Sequence, residues 1–147
     1  MSTINETYPK TPSPCYCMNI RRASRATTLY YDGLLKPSGL TIAQMGMLRY
    51  LEMSEPTTIT ELANRIRIDR TTLNRNMKPL LESGLIQSNI GKDSRTRLIA
   101  LTESGKTALA SAVLLWEQAQ MSLKEYLGDD DQEKLGQLLS KLEALVP

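Results

Sequence analysis

Two groups of side chains in this sequence are suited to chemistry. Cys15 and Cys17 lie close together near the amino terminus, where a thiolate can act as a nucleophile or be oxidised. In the middle of the chain, the stretch DRTTLNRNMKPLLESGLI at residues 69–86 holds two Thr, two Arg and a Lys within its first ten residues. Side chains of these types donate to phosphates and to the edges of bases.

The composition argues against an enzyme. The 147 residues include no His, which removes the commonest general base and the commonest neutral metal ligand. No Gly-rich phosphate-binding loop is present, no Ser or Cys has an obvious paired base, and two Cys alone cannot form a structural zinc site. We therefore predict no catalytic residues, no metal and no cofactor. The absence of a long apolar run or a signal-peptide core predicts a cytoplasmic protein without a membrane partner.

Charge is unevenly distributed along the chain. The net charge is only +2, but residues 60–100 hold eight Lys or Arg against four Asp or Glu. Residues 101–147 reverse this ratio, with four basic and eight acidic residues. A basic middle favours contact with a polyanion, although chance clustering on a solvated surface would give the same pattern.

Capping and stop signals divide the chain into elements. Ser13 and Pro14 predict the start of a first helix that continues to residue 36, and Thr41 and Thr58 open capping-box patterns. Asp69 and Thr102 are predicted N-caps of later helices. The predicted helices cover about residues 15–36, 41–53, 60–66, 69–83 and 103–127, with a last helix after GDDD at 128–131. Residues 85–90 and 97–101 read as two strands joined by the turn GKDSRT.

The order of these elements predicts a winged helix. Two short helices joined by about three residues, the second amphipathic and cationic, are typical of a helix-turn-helix, and the hairpin that follows adds a basic wing. The predicted fold is thus mostly α-helical with a small β-hairpin wing, in which a winged helix-turn-helix lobe is flanked by N- and C-terminal helices. A winged helix used only for protein contacts is the alternative. It would carry apolar or acidic residues where Thr71, Arg75 and Arg95 stand.

A helical wheel separates the two sides of the fourth predicted helix. Leu73, Met77, Leu80 and Leu81 fall on the side expected to be buried. Thr71, Arg75, Lys78 and Glu82 fall on the opposite side, with Asn74 on the flank. Pro79 removes one backbone donor and crowds the carbonyl of Arg75, so a mild kink is expected behind the polar tip.

The last two predicted helices each carry an apolar stripe. The first stripe recurs at heptad-like spacing and is expected to face a partner: Leu109, Val113, Trp116, Gln120, Leu123 and Leu127. The second stripe lies on the final helix: Leu135, Leu138, Leu139, Leu142, Leu145 and Val146.

The stretch ITELANRIRIDRTTLNRNMKPLLESGLI, followed by GKDSRTRLIALTESG, resembles the signature of the multiple-antibiotic-resistance regulator (MarR) family. The resemblance extends through GLTIAQMGMLRYLE. It implies a homodimer whose N- and C-terminal helices form the interface and whose two lobes bind a pseudo-palindromic site on double-stranded DNA. It also implies a transcriptional regulator, mostly a repressor, that a small ligand or oxidation releases. The expected division is a flexible arm at 1–14, dimerisation regions at 15–40 and 102–147, and a DNA-binding lobe at 41–101.

The resemblance also assigns the DNA-binding side chains. The polar side chains of the fourth predicted helix, the recognition helix, would enter or flank the major groove. Arg95 would reach into the minor groove with Asp93 bracing it, and Lys92 and Arg97 would hold phosphates. Arg65 and Arg67 would either hold phosphates or be solvated. The complete predicted set is Arg70, Thr71, Thr72, Asn74, Arg75, Lys78, Lys92, Asp93, Arg95 and Arg97.

The segment CYCMNIRRASRATTLYYDGLL is similar to the organic-hydroperoxide-sensing branch of the family. That branch has one reactive Cys and two Tyr. Cys17 matches the reactive Cys and Tyr31 matches one Tyr, but Ile42 stands at the position of the second Tyr. The helix dipole and Arg21 would favour a thiolate at Cys17. Three alternatives stay open. Cys15 and Cys17 are ordinary small apolar residues at the dimer interface, or they form a peroxide switch. The third is a ligand pocket between the dimerisation helices and the lobe, for phenolic or other aromatic acids, where Arg21, Arg22 or Arg25 would meet a carboxylate.

Overall fold

The computed structural model of the protein describes residues 10–54, 56–93 and 95–147. Residues 1–9, most of the arm predicted at residues 1–14, lie outside the described residues. The helices are α1 (Tyr16–Leu35), a 3₁₀ turn (Lys36–Ser38), α2 (Ile42–Ser54), α3 (Ile59–Ile66), α4 (Arg70–Glu82), α5 (Glu103–Leu127) and α6 (Asp129–Glu143). The strands are β1 (Thr57–Thr58), β2 (Ile86–Ile90) and β3 (Arg97–Leu101). The predicted fold class, mostly helical with a small β-hairpin, is confirmed.

Side-chain caps set the starts of α2 to α5. Thr41 and Gln44 form reciprocal bonds: the Thr41 amide donates to Gln44 Oε1 at 3.0 Å, and the Gln44 amide donates to Thr41 Oγ1 at 3.2 Å. Thr58 and Glu61 form the same capping box ahead of α3. The single-residue caps are Asp69 before α4 and Thr102 before α5. These four starts are those that the sequence predicts, because each cap depends only on residues three apart.

The start of α1 differs from the prediction. The N-cap is Cys15, in an extended conformation and without a side-chain cap bond, rather than Ser13. Asn19 holds Ser13 outside the helix, since its Oδ1 accepts from the Ser13 amide at 2.7 Å and its Nδ2 donates to the Ser13 carbonyl at 2.9 Å. The prediction of Pro14 at the first helical position was therefore wrong by two residues.

The sheet has one strand more than the predicted hairpin. β1 pairs antiparallel with β3, and the strand order is β1-β3-β2. A two-residue strand is too short to show an alternating pattern, so only tertiary pairing reveals it. The hairpin itself has the register Ile86↔Leu101 through Ile90↔Arg97. The second strand of the chain begins at Ile86 because Leu85 is bonded elsewhere: its amide donates to the carbonyl of Leu80.

The core is built from Leu, Met, Ile and Ala, as expected for a chain without Phe. The helix α5 packs on both α1 and α2. Part of the α5 stripe that was expected to face a partner lies in this core instead: Leu109 is buried, and Val113, Trp116 and Leu123 pack against it. The heptad-like spacing is satisfied here by helices of the same chain.

The helix α6 is different, because none of its residues is buried. Its apolar stripe remains open to solvent in the single chain, with Leu138 58% exposed and Leu142 41% exposed. Across the described ranges, no helix is long and apolar enough to cross a bilayer.

Candidate nucleic-acid interface

Helix α4 has one buried side and one exposed side. Leu73, Met77 and Leu80 are at most 3% exposed and lie in the core of the lobe. Burying each of them contributes about 1.5–3 kcal/mol relative to exposure, so the buried side fixes the rotation of the helix. Leu81 was predicted to share this side, but it is 39% exposed, so that part of the prediction was wrong.

The exposed side of α4 carries the predicted DNA-binding side chains. The exposed residues are Arg70, Thr71, Asn74, Arg75 and Lys78. Within the part of the chain that the structure describes, Arg75 and Lys78 have no side-chain partner. Their cationic groups are therefore available to an external anion.

The N-terminus of α4 is held by Asp69. Its Oδ1 accepts from the Thr72 amide at 2.8 Å, and its Oδ2 accepts from the Thr72 hydroxyl at 2.9 Å. These two bonds hold the pKa of the Asp69 carboxyl below its ordinary value, and the bond from the Thr72 amide has the larger effect. Asp69 was predicted as a cap, but its bond to the Thr72 hydroxyl was not, although a Thr at the third helical position is the signal that could have shown it.

Pro79 lies inside α4, which continues for three residues beyond it to Glu82. The end of the helix is closed locally: the Ser83 amide donates to the Pro79 carbonyl at 3.0 Å. Gly84 then adopts φ 73°, a left-handed conformation that favours glycine and that directs the chain into the wing. The helix thus keeps its polar first half and its apolar second half on one continuous segment.

The turn between α3 and α4 uses a strained residue. Arg67 has φ 61°, and the amides of Arg67 and Ile68 both donate to the carbonyl of Ala63. A non-glycine residue in this region is uncommon and costs about 1–2 kcal/mol. The Arg67 guanidinium forms an ion pair with Glu143 of α6 at 3.0 Å. The sequence left Arg67 as either a phosphate contact or a solvated residue, and this pair was not foreseen.

The wing is closed by backbone bonds at its tip. The Gly91 amide donates to the Thr96 carbonyl at 2.8 Å, and the Thr96 amide donates to the Asp93 carbonyl at 2.9 Å. The Asp93 carboxylate accepts from the Arg95 amide at 3.1 Å, so the brace expected between these residues acts on the backbone. Ser94, part of the predicted tip, lies outside the described residues. The side chains of Lys92, Arg95 and Arg97 are exposed.

The cysteines lie at the start of α1. Cys15 and Cys17 are both free and exposed, at the N-cap and the second residue of α1. The first turn of α1 contains no acidic residue. Arg21 is exposed one turn after Cys17.

Tyr31 is not near Cys17 within one chain. The two residues are separated by fourteen positions of one helix, a rise of about 21 Å. Tyr31 is 7% exposed, and its hydroxyl bonds to Oε1 of Gln120 on α5. Burial, and then the neighbouring Tyr30, raise the pKa of Tyr31. Ile42, at the position where the peroxide-sensing branch has its second Tyr, is half-buried at the start of α2.

A cavity lies between α5 and α6, with a volume of about 240 Å³. Its lining residues are Gln120, Met121, Leu123, Lys124, Leu127, Gln132 and Leu135. The predicted pocket for an aromatic acid was placed between the dimerisation helices and the lobe, beside three Arg of α1. None of those Arg lines this cavity.

Comparison with known proteins gives the lobe a family. The profile of the MarR family matches residues 38–95. An uncharacterised HTH-type transcriptional regulator of Bacillus cereus is 30% identical over 109 residues, which are 74% of this chain and 73% of the relative. The chain belongs to the MarR family. This membership confirms the predicted class of transcriptional regulator and the prediction that the chain is not an enzyme.

Solved structures of MarR-family regulators share the fold over most of the chain. The transcriptional regulator MosR of M. tuberculosis, solved in complex with DNA, is 37% identical and has a TM-score of 0.77, covering 90% of this chain and 99% of its own. The transcriptional repressor CouR, bound to a 23-mer DNA duplex, is 25% identical with a TM-score of 0.79, covering 88% and 92%. The MarR-family match includes α4 and the wing tip, whereas Arg97 and the cysteines lie outside it.

Proposed function

We propose that this MarR-family regulator is a homodimer that binds a pseudo-palindromic DNA site and acts as a repressor. The observation that carries the proposal is the exposed side of α4, whose cationic groups have no partner in the described ranges, beside a wing that exposes three more cations. In this proposal α4 enters the major groove. The MosR and CouR structures, which contain DNA, support it.

The proposed roles of the side chains follow from their hydrogen-bonding groups. Arg95 reaches the minor groove, and Lys92 and Arg97 hold phosphates. The side chains of α4 enter or flank the major groove, and they are Arg70, Thr71, Thr72, Asn74, Arg75 and Lys78. Arg95 is placed by the Asp93 brace on its backbone. A regulator of transcription acts where the chromosome is, so a cytoplasmic location belongs to the same proposal.

The test is a gel shift with DNA from upstream of the protein's own gene, together with in vitro selection from a randomised duplex library. Specific retention of one selected site over a scrambled duplex of equal length is expected. Affinity should fall as salt rises, because phosphate contacts release counterions. An affinity that does not depend on salt contradicts the electrostatic part of the proposal, and equal binding of all duplexes contradicts the sequence-specific part.

The dimer interface is proposed to lie on residues 15–40 and 102–147, with residues 41–101 as the DNA-binding lobe and residues 1–14 as an arm. Support comes from α6, on which four exposed apolar side chains form one stripe at helical spacing: Leu135, Leu138, Leu139 and Leu142. Leu145 and Val146, predicted to extend the stripe, lie beyond the end of the helix and are exposed as well. A single chain leaves this stripe in water, whereas a second copy would bury it. The variant Leu138→Glu should shift sedimentation from dimer to monomer, while Lys141→Glu, on the same helix, should not. A monomeric wild type would contradict the assignment.

The switch is proposed to be either oxidation at Cys17 with Cys15 nearby or a small aromatic ligand. Exposure of both thiols at a helix start without acids supports oxidation. The Tyr31 bond to Gln120 keeps that hydroxyl inside its own chain, so oxidation would not rely on it in this conformation.

Affinity for the selected site should be measured after alkylation of Cys17, after an organic peroxide, and with an aromatic acid. The variant Cys17→Ser is the control for the first two treatments. Release by peroxide from wild type but not from Cys17→Ser supports oxidation. Unchanged binding after peroxide, with full release by the acid, ends the redox proposal.

A further inference from the structure

Asp69 and Thr72 form a closed unit at the start of α4. Both carboxylate oxygens of Asp69 are engaged, one by the Thr72 amide at 2.8 Å and the other by the Thr72 hydroxyl at 2.9 Å. The unit is built on a cap that two bonds hold, rather than on the single bond of an ordinary N-cap. It stands at the tip of the helix proposed to enter the major groove.

The bond to the hydroxyl sets what Thr72 can offer to DNA. A hydroxyl has one proton, and Thr72 donates it to Asp69. Its oxygen retains lone pairs, which accept from the amino groups of adenine or cytosine, and its methyl can contact the methyl of thymine. It cannot donate to a phosphate, which only accepts, without losing the Asp69 bond. Thr71, exposed beside it, forms no such side-chain bond in the described ranges and remains a free donor.

The charge of Asp69 acts in the same direction. The N-terminus of a helix ordinarily attracts a phosphate through its free amides. Here the carboxylate already occupies the Thr72 amide, and its hydrogen bonds hold the pKa of Asp69 below its ordinary value. An exposed carboxyl is ionised at neutral pH even at its ordinary pKa, so Asp69 carries a negative charge there. Asp69 is exposed, so this negative charge faces the same solvent as the cations of α4 and repels a backbone phosphate.

We propose that Asp69 is a specificity-determining residue that acts through Thr72: it turns Thr72 into an acceptor for base edges and keeps phosphates away from the tip of α4. The inference rests on the proposed DNA-binding function. It accounts for an acidic residue next to the exposed cations of α4, at a position where the neutral Asn is also a favoured N-cap. Asp69 thus weakens binding to DNA of any sequence, but it weakens binding least for duplexes that present a base amino group to the Thr72 oxygen.

The variant Asp69→Asn tests this idea with little change in the cap. Asn Oδ1 still accepts from the Thr72 amide, but its Nδ2 is a donor, so it donates to the Thr72 oxygen and frees the hydroxyl proton for a phosphate. Affinity for the scrambled duplex should rise roughly two- to fivefold through the lost charge and the reversed hydroxyl. Affinity for the selected site should rise less or fall, so the ratio of the two affinities should decrease.

Two comparisons isolate the cause. Glu82→Gln removes one negative charge from the exposed side of the same helix, away from its tip, and should leave the affinity ratio nearly unchanged. Thr72→Val keeps the shape of the side chain without the hydroxyl, so Asp69→Asn should change the ratio less in that background. The inference is overturned if Asp69→Asn leaves the ratio unchanged, if Glu82→Gln lowers it equally, or if Thr72→Val does not alter the effect.

A measurement without DNA keeps the inference separate from the proposed function. In an NMR titration of the free protein, Thr72→Val should raise the pKa of the Asp69 carboxyl towards its ordinary value, because one of the two bonds is lost. An unchanged pKa shows that the hydroxyl bond does not form, and the inference fails even if DNA binds. Failure of wild type to prefer the selected duplex, with the pKa shift present, contradicts the proposed function instead.

Discussion

Replacement of Arg75 by Ala separates sequence reading from simple attraction to DNA. The side chain is exposed and has no partner among the described residues, so its removal leaves the core of the lobe untouched. Ala and Arg are both good helix formers, so the helix should be kept. The whole effect of Arg75→Ala should therefore appear in binding, and the midpoint of thermal unfolding should stay within a degree or two.

The magnitude follows from the contact expected of Arg75. A base-contacting Arg contributes on the order of 1–3 kcal/mol of specific binding. Since about 1.4 kcal/mol corresponds to a factor of ten, affinity for the selected site should fall roughly 5- to 150-fold. The scrambled duplex should lose much less, because it offers Arg75 only phosphates.

The assay is fluorescence anisotropy with both duplexes at several salt concentrations. Lys92→Ala is the matched control, since Lys92 is an exposed cation at the wing tip that is proposed to contact phosphate. It should weaken both duplexes alike and lower the salt slope by about one. Equal losses on the two duplexes for Arg75→Ala would show that Arg75 does not read sequence, and our orientation of α4 in the groove would be refuted.

Two predictions concern the scaffold that holds this surface. Gly105→Ala should lower the free energy of unfolding, measured in urea, by about 1–3 kcal/mol or more. The reason is that a Cβ at this position would lie 2.0 Å from the Leu85 carbonyl oxygen. A variant as stable as wild type would contradict this close contact between α5 and Leu85. Tyr31→Phe should lower stability by about 0.5–1.5 kcal/mol through the lost bond to Gln120. Because the pKa of Tyr31 is raised from 10.0, its neutral form favours the fold below pH 10, and this stability is lost as pH rises through the higher folded pKa. The Phe variant should lack that alkaline loss, and an identical pH profile of the two proteins would show that the pKa of Tyr31 is not raised in the folded protein.

Local signals in the sequence predicted much of the fold. The capping boxes at Thr41 and Thr58 and the cap at Asp69 lie where they were predicted, since a cap needs only a side chain and an amide three residues apart. The start of α1 was not predicted, because Asn19 competes for Ser13 across six residues. Likewise, β1 is defined only by its pairing with β3.

The candidate interface divides in the same way. Residue types and helical period alone identified the polar side of α4 and the cations of the wing, and the MarR resemblance placed both in one family. Contacts between distant segments could not be read from the chain. The pairing of Arg67 with Glu143 joins residues 76 positions apart, and the bond between Tyr31 and Gln120 joins residues 89 apart.

The sequence by itself therefore determined which residues cap the helices, which face of each helix is apolar, and which segment carries the cations. These properties depend on residue types and on spacings of three or four residues along the chain. Only the tertiary structure decided which apolar stripe is buried in its own chain. Leu109 of α5 is buried in the core of its own chain, whereas Leu138 of α6 is 58% exposed in the described chain. An amphipathic pattern shows that a face must be covered, but its covering depends on how the helices meet in space.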